Sequence, residues 1–267
     1  MPDIIVPVSD ADQLRLFNEA GASMFYAGLK GYCRKEKEGL EAFRIKEICR
    51  TADQIGVKFF AALNRVPSVF QKTEFEGAAA RMADSGAYGI IINDLGIINI
   101  IRKKFPNLFI MASIGLSPLN YREVDFISGA GADSVLLSEF LSVDEISEIK
   151  NKCRVSIELF AEGVKEFGFT GKCIMSSYFH QVHKNNRFFG SAKRGGTCSD
   201  VCRGSFFCGL AGETGKNGIK LRFDRYSLID RIRDFLPYAD IFKIHGGALD
   251  EAGICAIIRK MKNCFSD

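Results

Sequence analysis

The chain has 267 residues, 47% of them hydrophobic and 25% charged, with 36 Lys and Arg against 32 Asp and Glu for a net charge of +4. That composition excludes a disordered or low-complexity protein, and the small net charge differs from the footprint of a dedicated nucleic-acid binder. No run approaches the roughly 18 apolar residues of a membrane span, and Met1-Pro2-Asp3 does not open a signal peptide, so a soluble, cytoplasmic protein is expected.

From the N-terminus, short β-rich apolar runs alternate with amphipathic stretches at intervals of about thirty residues, as in βα units on a parallel sheet. The predicted strands are Ile4–Val8, Met24–Ala27, Val57–Leu63, Gly89–Asn93, Leu108–Ala112, Ser134–Leu137 and Val155–Phe160. Predicted helices include Ala11–Ala20, Leu40–Gln54, Thr73–Ala83, Leu95–Lys104 and Val143–Lys152. Gly56, Gly86 and Gly131 each precede a strand, where a helix C-cap calls for a left-handed residue.

After Gly163 the rhythm gives way to a segment rich in glycine, cysteine and basic side chains. It resumes with Leu228–Leu236, Ile241–His245 and Leu249–Met261, which supply an eighth unit. Eight units in about 250 residues predict a single α/β domain over 1–267, a (β/α)8 TIM-like barrel with a cysteine-rich insertion, 163–226, after strand seven. An open doubly wound sheet is the alternative. The segment Glu162–Arg222 holds ten basic and four acidic residues, a local charge of +6 that leaves −2 for the remainder.

Loops that follow the strands of a parallel barrel gather at one end and build the site there. Asn64, Asp94, Ser113, Glu139 and Glu162 fall at those ends, each open to a second reading as a helix N-cap or loop residue. Cys49 and Cys255 lie among core apolar positions and read as small hydrophobes, while Cys153 and Cys264 close helices. Cys33 follows strand two, and Cys173, Cys198 and Cys202 lie in the insertion. All four are expected at the same mouth.

Cys198-x3-Cys202, flanked by Gly195-Gly196 and Arg203-Gly204, places two thiols on flexible backbone. Four thiolates suit zinc or an iron-sulfur cluster, with Cys208 as a substitute ligand and unligated thiols as the alternative to both. His180-x2-His183 sits in a polar, basic stretch that reads as a solvated loop. Glu158 is expected inside the barrel by strand alternation, where it needs an Arg or Lys partner or a proton.

Taken together, Glu158-x-Phe160-x2-Gly163, Gly171-Lys172-Cys173 with Ser176 and Tyr178, and Gly196-Thr197-Cys198-x3-Cys202-Arg203 resemble the signature region of the collagenase-like peptidase family U-32. Tyr26-x-Gly28, Ala62-Leu63-Asn64 and Asn93-Asp94-x-Gly96 extend the resemblance upstream, and Lys243-Ile244-His245-Gly246 is similar to the family's Lys-Ile-Glu-Gly-Arg segment. Better understood branches of that family are iron-sulfur proteins that hydroxylate tRNA, ribosomal RNA or the ubiquinone ring without oxygen, drawing the oxygen from prephenate. The resemblance therefore implies an oxygen-independent hydroxylase, or a subunit of one, carrying a [4Fe-4S] cluster, with zinc as the alternative metal.

Glu162 and Glu166 stand where the family signature has His and Cys, and Ser138-Glu139-Phe140 replaces its Arg-Glu after strand six. The V subunit of the ubiquinone hydroxylase pair takes a ligand from the loop after strand two. By that resemblance Cys33, Cys173, Cys198 and Cys202 form the ligand set, and a related family member could be a heterodimer partner. Asn64, Asp94, Lys172 and Arg203 are the substrate-binding candidates, and Lys193 and Arg194 could add charge toward an anionic ligand. Glu158 and Glu162 are the catalytic candidates. The expected substrate is a quinone precursor or another anionic small molecule; RNA is possible, and the modest charge weighs against it. A peptidase and a non-enzymatic, cluster-bearing partner subunit are the competing functions.

Overall fold

A computed structural model of the chain describes residues 1–34, 39–164, 173, 205–208, 219–222, 225–245 and 249–266. The expected alternation holds: β1 (Asp3–Pro7), α1 (Ala11–Ala20), β2 (Met24–Gly28), α2 (Ala42–Ile55), β3 (Lys58–Leu63), α3 (Lys72–Asp84), β4 (Gly89–Ile92) and α4 (Leu95–Lys104). It continues through β5 (Phe109–Ala112), α5 (Tyr121–Gly129), β6 (Ser134–Leu136), α6 (Val143–Lys152) and β7 (Ser156–Val164). Beyond these lie β8 (Ser205–Cys208), β9 (Ile219–Arg222), β10 (Arg225–Ser227), α7 (Ile232–Phe235), β11 (Ile241–Ile244) and α8 (Glu251–Ser266).

Parallel pairing runs from β1 to β7 in chain order, then to β11, which pairs back to β1 through Asp3↔Ile241 and Ile4↔Phe242. The sheet thus closes into a (β/α)8 barrel, and the open doubly wound sheet is excluded. Short βα loops suffice because polar residues cap the helices at once: Asp10 accepts from the backbone N–H groups of Asp12 and Gln13, and Asn120 from those of Arg122 and Glu123. Ser142 and Glu145 form a reciprocal capping box on α6. At the other helix ends Gly56 and Gly86 turn the chain at φ of 70° and 85°, in the left-handed region where a Cβ is penalised.

Strand alternation divides the core in two. Ile5, Met24, Phe60, Ala62, Ile91, Met111 and Ile241 pack inside the barrel. Ile4, Val6, Phe25, Ile90 and Phe242 point outward under the helices. Three elements depart from the sequence reading. Leu40 precedes α2 and forms a parallel bridge with Leu29, which ties the loop after β2 back against its strand. The expected helix Leu228–Leu236 is a 3-10 turn, Ile229–Arg231, followed by the short α7. Finally β10, read as insertion, pairs antiparallel to the end of β7 through Arg225↔Val164 and Ser227↔Glu162.

Candidate functional site

The C-terminal ends of the strands surround a cavity of about 530 Å³, the size of a small-molecule site. Tyr26, Cys33, Asn64, Phe160, Lys243 and His245 are among its lining residues, and all eight parallel strands or the loops that follow them contribute. Ile91 and Leu136 give it an apolar wall below the mouth.

At its floor the Lys243 ammonium donates to Glu158 Oε1 at 2.8 Å, with side-chain exposures of 6% and 1%. The sequence expectation of a buried Glu158 with a basic partner is met, and the partner comes from the neighbouring strand of the closed barrel. Lys243 also lies 4.8 Å from the centroid of the Tyr26 ring, whose face attracts the cation. Among the described residues Glu158 Oε2 is buried without a hydrogen-bond partner. Near the same place the register between β7 and β11 shifts between Lys243 and Ile244, a bulge of the kind that re-aims side chains at barrel rims.

Cys33 is buried, and the loop that carries it is fixed from both sides. Its N–H donates to Leu29 O, and the N–H of Arg34 donates to Asn64 Oδ1 at 2.9 Å. Gly28 and Gly39 close on the sulfur: a Cβ on either would stand 2.7 or 2.8 Å from Cys33 Sγ. Only glycine at both positions leaves the thiol its place. Asn64 therefore lines the cavity as expected, and it also positions the loop of a candidate ligand.

Two other candidates have partners within the fold. The Asp94 carboxylate accepts from Ile97 N–H and caps α4. Glu162, a catalytic candidate, receives Arg225 Nε at 2.9 Å and Nη2 at 2.8 Å on the same oxygen. The guanidinium clasps β10 to β7 at the mouth. Ser113 is buried at the cavity wall. Glu139 faces Tyr226, whose hydroxyl is pushed up to about 12, first by burial and then by the nearby carboxylate.

The remaining cysteines sort as read. Burial raises the Cys49 thiol to about 12 and raises Cys255 as well, so both stay protonated and inert. Cys173, like Cys33, is buried. Cys198, Cys202, Lys172, Arg203, Lys193, Arg194, Glu166, His180 and His183 lie outside the described residues. Cys208 ends β8, paired in register with Ile219. Among the described residues no three His, Cys, Asp or Glu side chains gather as a metal site. Two of the four expected ligands, Cys33 and Cys173, are thus described, and both are buried.

Lys243 and Tyr26 were read only as parts of motifs. Period-two alternation through Ile241, Lys243 and His245 is the signal that places Lys243 inside the barrel.

The family model for peptidase family U32 matches residues 9–264. The tRNA hydroxylation protein P of Haemophilus influenzae is 28% identical over 204 residues, covering 76% of this chain and 42% of that protein. A collagenase of Porphyromonas gingivalis is 26% identical over 226 residues, covering 75% of this chain and 49% of that one. The chain spans less than half the length of these curated relatives. A solved structure of a U32 peptidase superposes with a TM-score of 0.60 at 12% identity, over 94% of this chain and 95% of that one, and so shares the fold.

Proposed function

The chain belongs to peptidase family U32, and from that premise we propose that it acts in an oxygen-independent hydroxylation of tRNA. The observation that carries this reading is the 28% identity to a tRNA hydroxylation protein across 76% of the chain. Neither curated relative is named for quinone chemistry, so RNA replaces the quinone precursor as the preferred substrate. The overall charge of +4, which weighed against RNA, averages regions of opposite sign and does not describe the mouth.

Cys33, Cys173, Cys198 and Cys202 would hold a [4Fe-4S] cluster, and the place of Cys33 in the cavity wall supports that assignment. Such a cluster, when bound, supplies one-electron chemistry at a potential set by its surroundings. The chain's own residues do the rest. Gly28, Gly39 and Asn64 hold the Cys33 loop in one place, and Ile91, Leu136 and Phe160 exclude water from the cavity wall. Glu158 keeps Lys243 in one orientation at the floor, where its remaining N–H donors can meet a polar edge of a bound group. A cavity of about 530 Å³ takes one unpaired nucleoside and excludes a duplex.

The test compares nucleosides from total tRNA of cells that have and lack this chain, by mass spectrometry. A nucleoside carrying one added oxygen should vanish without the chain, and return with the parental sequence but not with Cys33→Ala. An unchanged nucleoside profile overturns the reading. Anaerobic purification should in parallel give a brown protein with about four irons per chain, reduced in Cys33→Ala; zinc in its place would mark a structural thiolate site.

The collagenase relative favours peptidase activity as a second reading. Degradation of gelatin by the purified chain, abolished by no cysteine variant, would establish it.

A further inference from the structure

The mouth of the barrel carries large apolar side chains that the fold leaves in solvent. Phe70, in the turn between β3 and α3, is 87% exposed, and Phe140, just after β6, is 69% exposed. Leu119 before α5 and Phe43 at the start of α2 are 53% and 70% exposed. All four lie on segments that follow the C-terminal ends of parallel strands, so they ring one arc of the same face on which the cavity opens.

Charge is distributed unevenly around that ring. The segments after β2 and β3, residues 29–41 and 64–72, hold six Lys and Arg (Lys30, Arg34, Lys35, Lys37, Arg65 and Lys72) against Glu36, Glu38 and Glu41, a net +3, with Lys30 paired to Glu41. The segments after β1 and β11 carry Asp10, Asp12, Asp250 and Glu251. The aromatic arc therefore begins in the basic sector and runs away from the acidic one, with Glu139 the acidic neighbour of Phe140. Guanidinium groups are already stacked on rings there: Arg65 lies 5.8 Å from the Phe75 centroid and Arg81 5.7 Å from that of Tyr32.

We infer that this arc, with Phe70 and Phe140 as its anchors, is a platform for unpaired bases of an RNA strand whose phosphates lie along the basic sector. The inference rests on the tRNA reading and names the surface that reading needs. Exposed phenyl rings offer stacking faces to any unpaired base, whereas paired bases in a duplex have none to offer. A protein ligand would gain from the apolar groups but has no general reason to prefer the basic sector over the acidic one; a polyanion does.

The test measures binding of a fluorescent RNA stem-loop, and of a fully paired duplex, to the full chain by anisotropy. Phe70→Ala and Phe140→Ala should each weaken stem-loop binding about tenfold while leaving the salt dependence unchanged. Lys72→Ala should instead reduce the salt slope by about one ion. Phe126→Ala, at a residue 68% exposed on α5 and away from the mouth, is the control and should bind as the parent does. All these positions are exposed, so none should disturb folding. Equal binding by the parent and both rim variants would overturn the platform and leave the hydroxylation reading intact. Loss of binding in the rim variants without any tRNA nucleoside depending on the chain would support the platform and strike the reaction instead.

Discussion

Lys243 and Glu158 meet at 2.8 Å across neighbouring strands inside the barrel, and both are almost wholly removed from water. Two charges buried together can be near neutral in their net effect, but one left alone is costly. Lys243→Met should therefore destabilise the protein by about 3–5 kcal/mol, since it strands the carboxylate. The double variant Lys243→Met with Glu158→Leu should recover much of that loss. Urea unfolding of the two single variants and the double variant measures the coupling directly; additive losses would show that the pair does not act as a unit.

The thiol of Cys33 sits where Gly28 and Gly39 have no side chains. A Cβ at Gly28 would stand 2.7 Å from both Cβ and Sγ of Cys33, closer than atoms pack without a shift. Gly28→Ala should cost about 1–3 kcal/mol through overpacking. It should also lower the iron bound after anaerobic reconstitution, because the displaced sulfur is a proposed ligand. Gly77→Ala is the comparison: its Cβ would meet only Arg81 at 3.6 Å on the surface of α3. Full iron content in Gly28→Ala would remove Cys33 from the ligand set.

Most of the barrel is legible in the sequence because its strands are short apolar runs closed by glycines, and Gly56, Gly86 and Gly131 all adopt positive φ where a helix hands over to a strand. Leu40 is ambiguous in the sequence because an apolar residue beside a helix looks the same whether it packs as part of it or bridges to Leu29. Asp94 shows a deeper ambiguity. A carboxylate at the end of a βα loop suits a substrate and a helix N-terminus equally, and the bond from Ile97 N–H, which shows the cap, is not written in the sequence. The partner of Glu158 lies 85 positions away in the chain, so barrel closure had to be known before Lys243 could be chosen.

Alkaline stability offers a separate test of the core. Burial raises the Cys49 thiol from 9.0 to about 12. Below pH 9.0 the thiol is protonated in both folded and unfolded chains, and its contribution is fully present. As pH rises from there toward about 12 the unfolded chain releases the proton first, so stability falls across that window. Cys49→Val, which cannot ionise, should show a shallower alkaline decline in its urea midpoint than the parent. Tyr226, raised from 10.0 to about 12, acts in the same direction, and Tyr226→Phe should flatten the upper part of the curve. Parallel curves for parent and variants would mean that these groups are not shielded in the folded chain.

Asn64 and Asp94 lie in the segments that follow β3 and β4, and their bonds predict opposite phenotypes. Asp94 accepts from Ile97 N–H at the start of α4. Asp94→Ala should cost about 1 kcal/mol of stability, as the loss of a cap does, with iron content and tRNA hydroxylation kept. Asn64 accepts from Arg34 N–H and holds the Cys33 loop against the cavity. Asn64→Ala removes one hydrogen bond, a comparable change of about 1 kcal/mol, but frees the segment that carries a proposed ligand. Its iron content and its yield of hydroxylated nucleoside should both fall well below those of Asp94→Ala at equal stability. Matching phenotypes in the two variants would mean that the loop after β2 has no special part in the site.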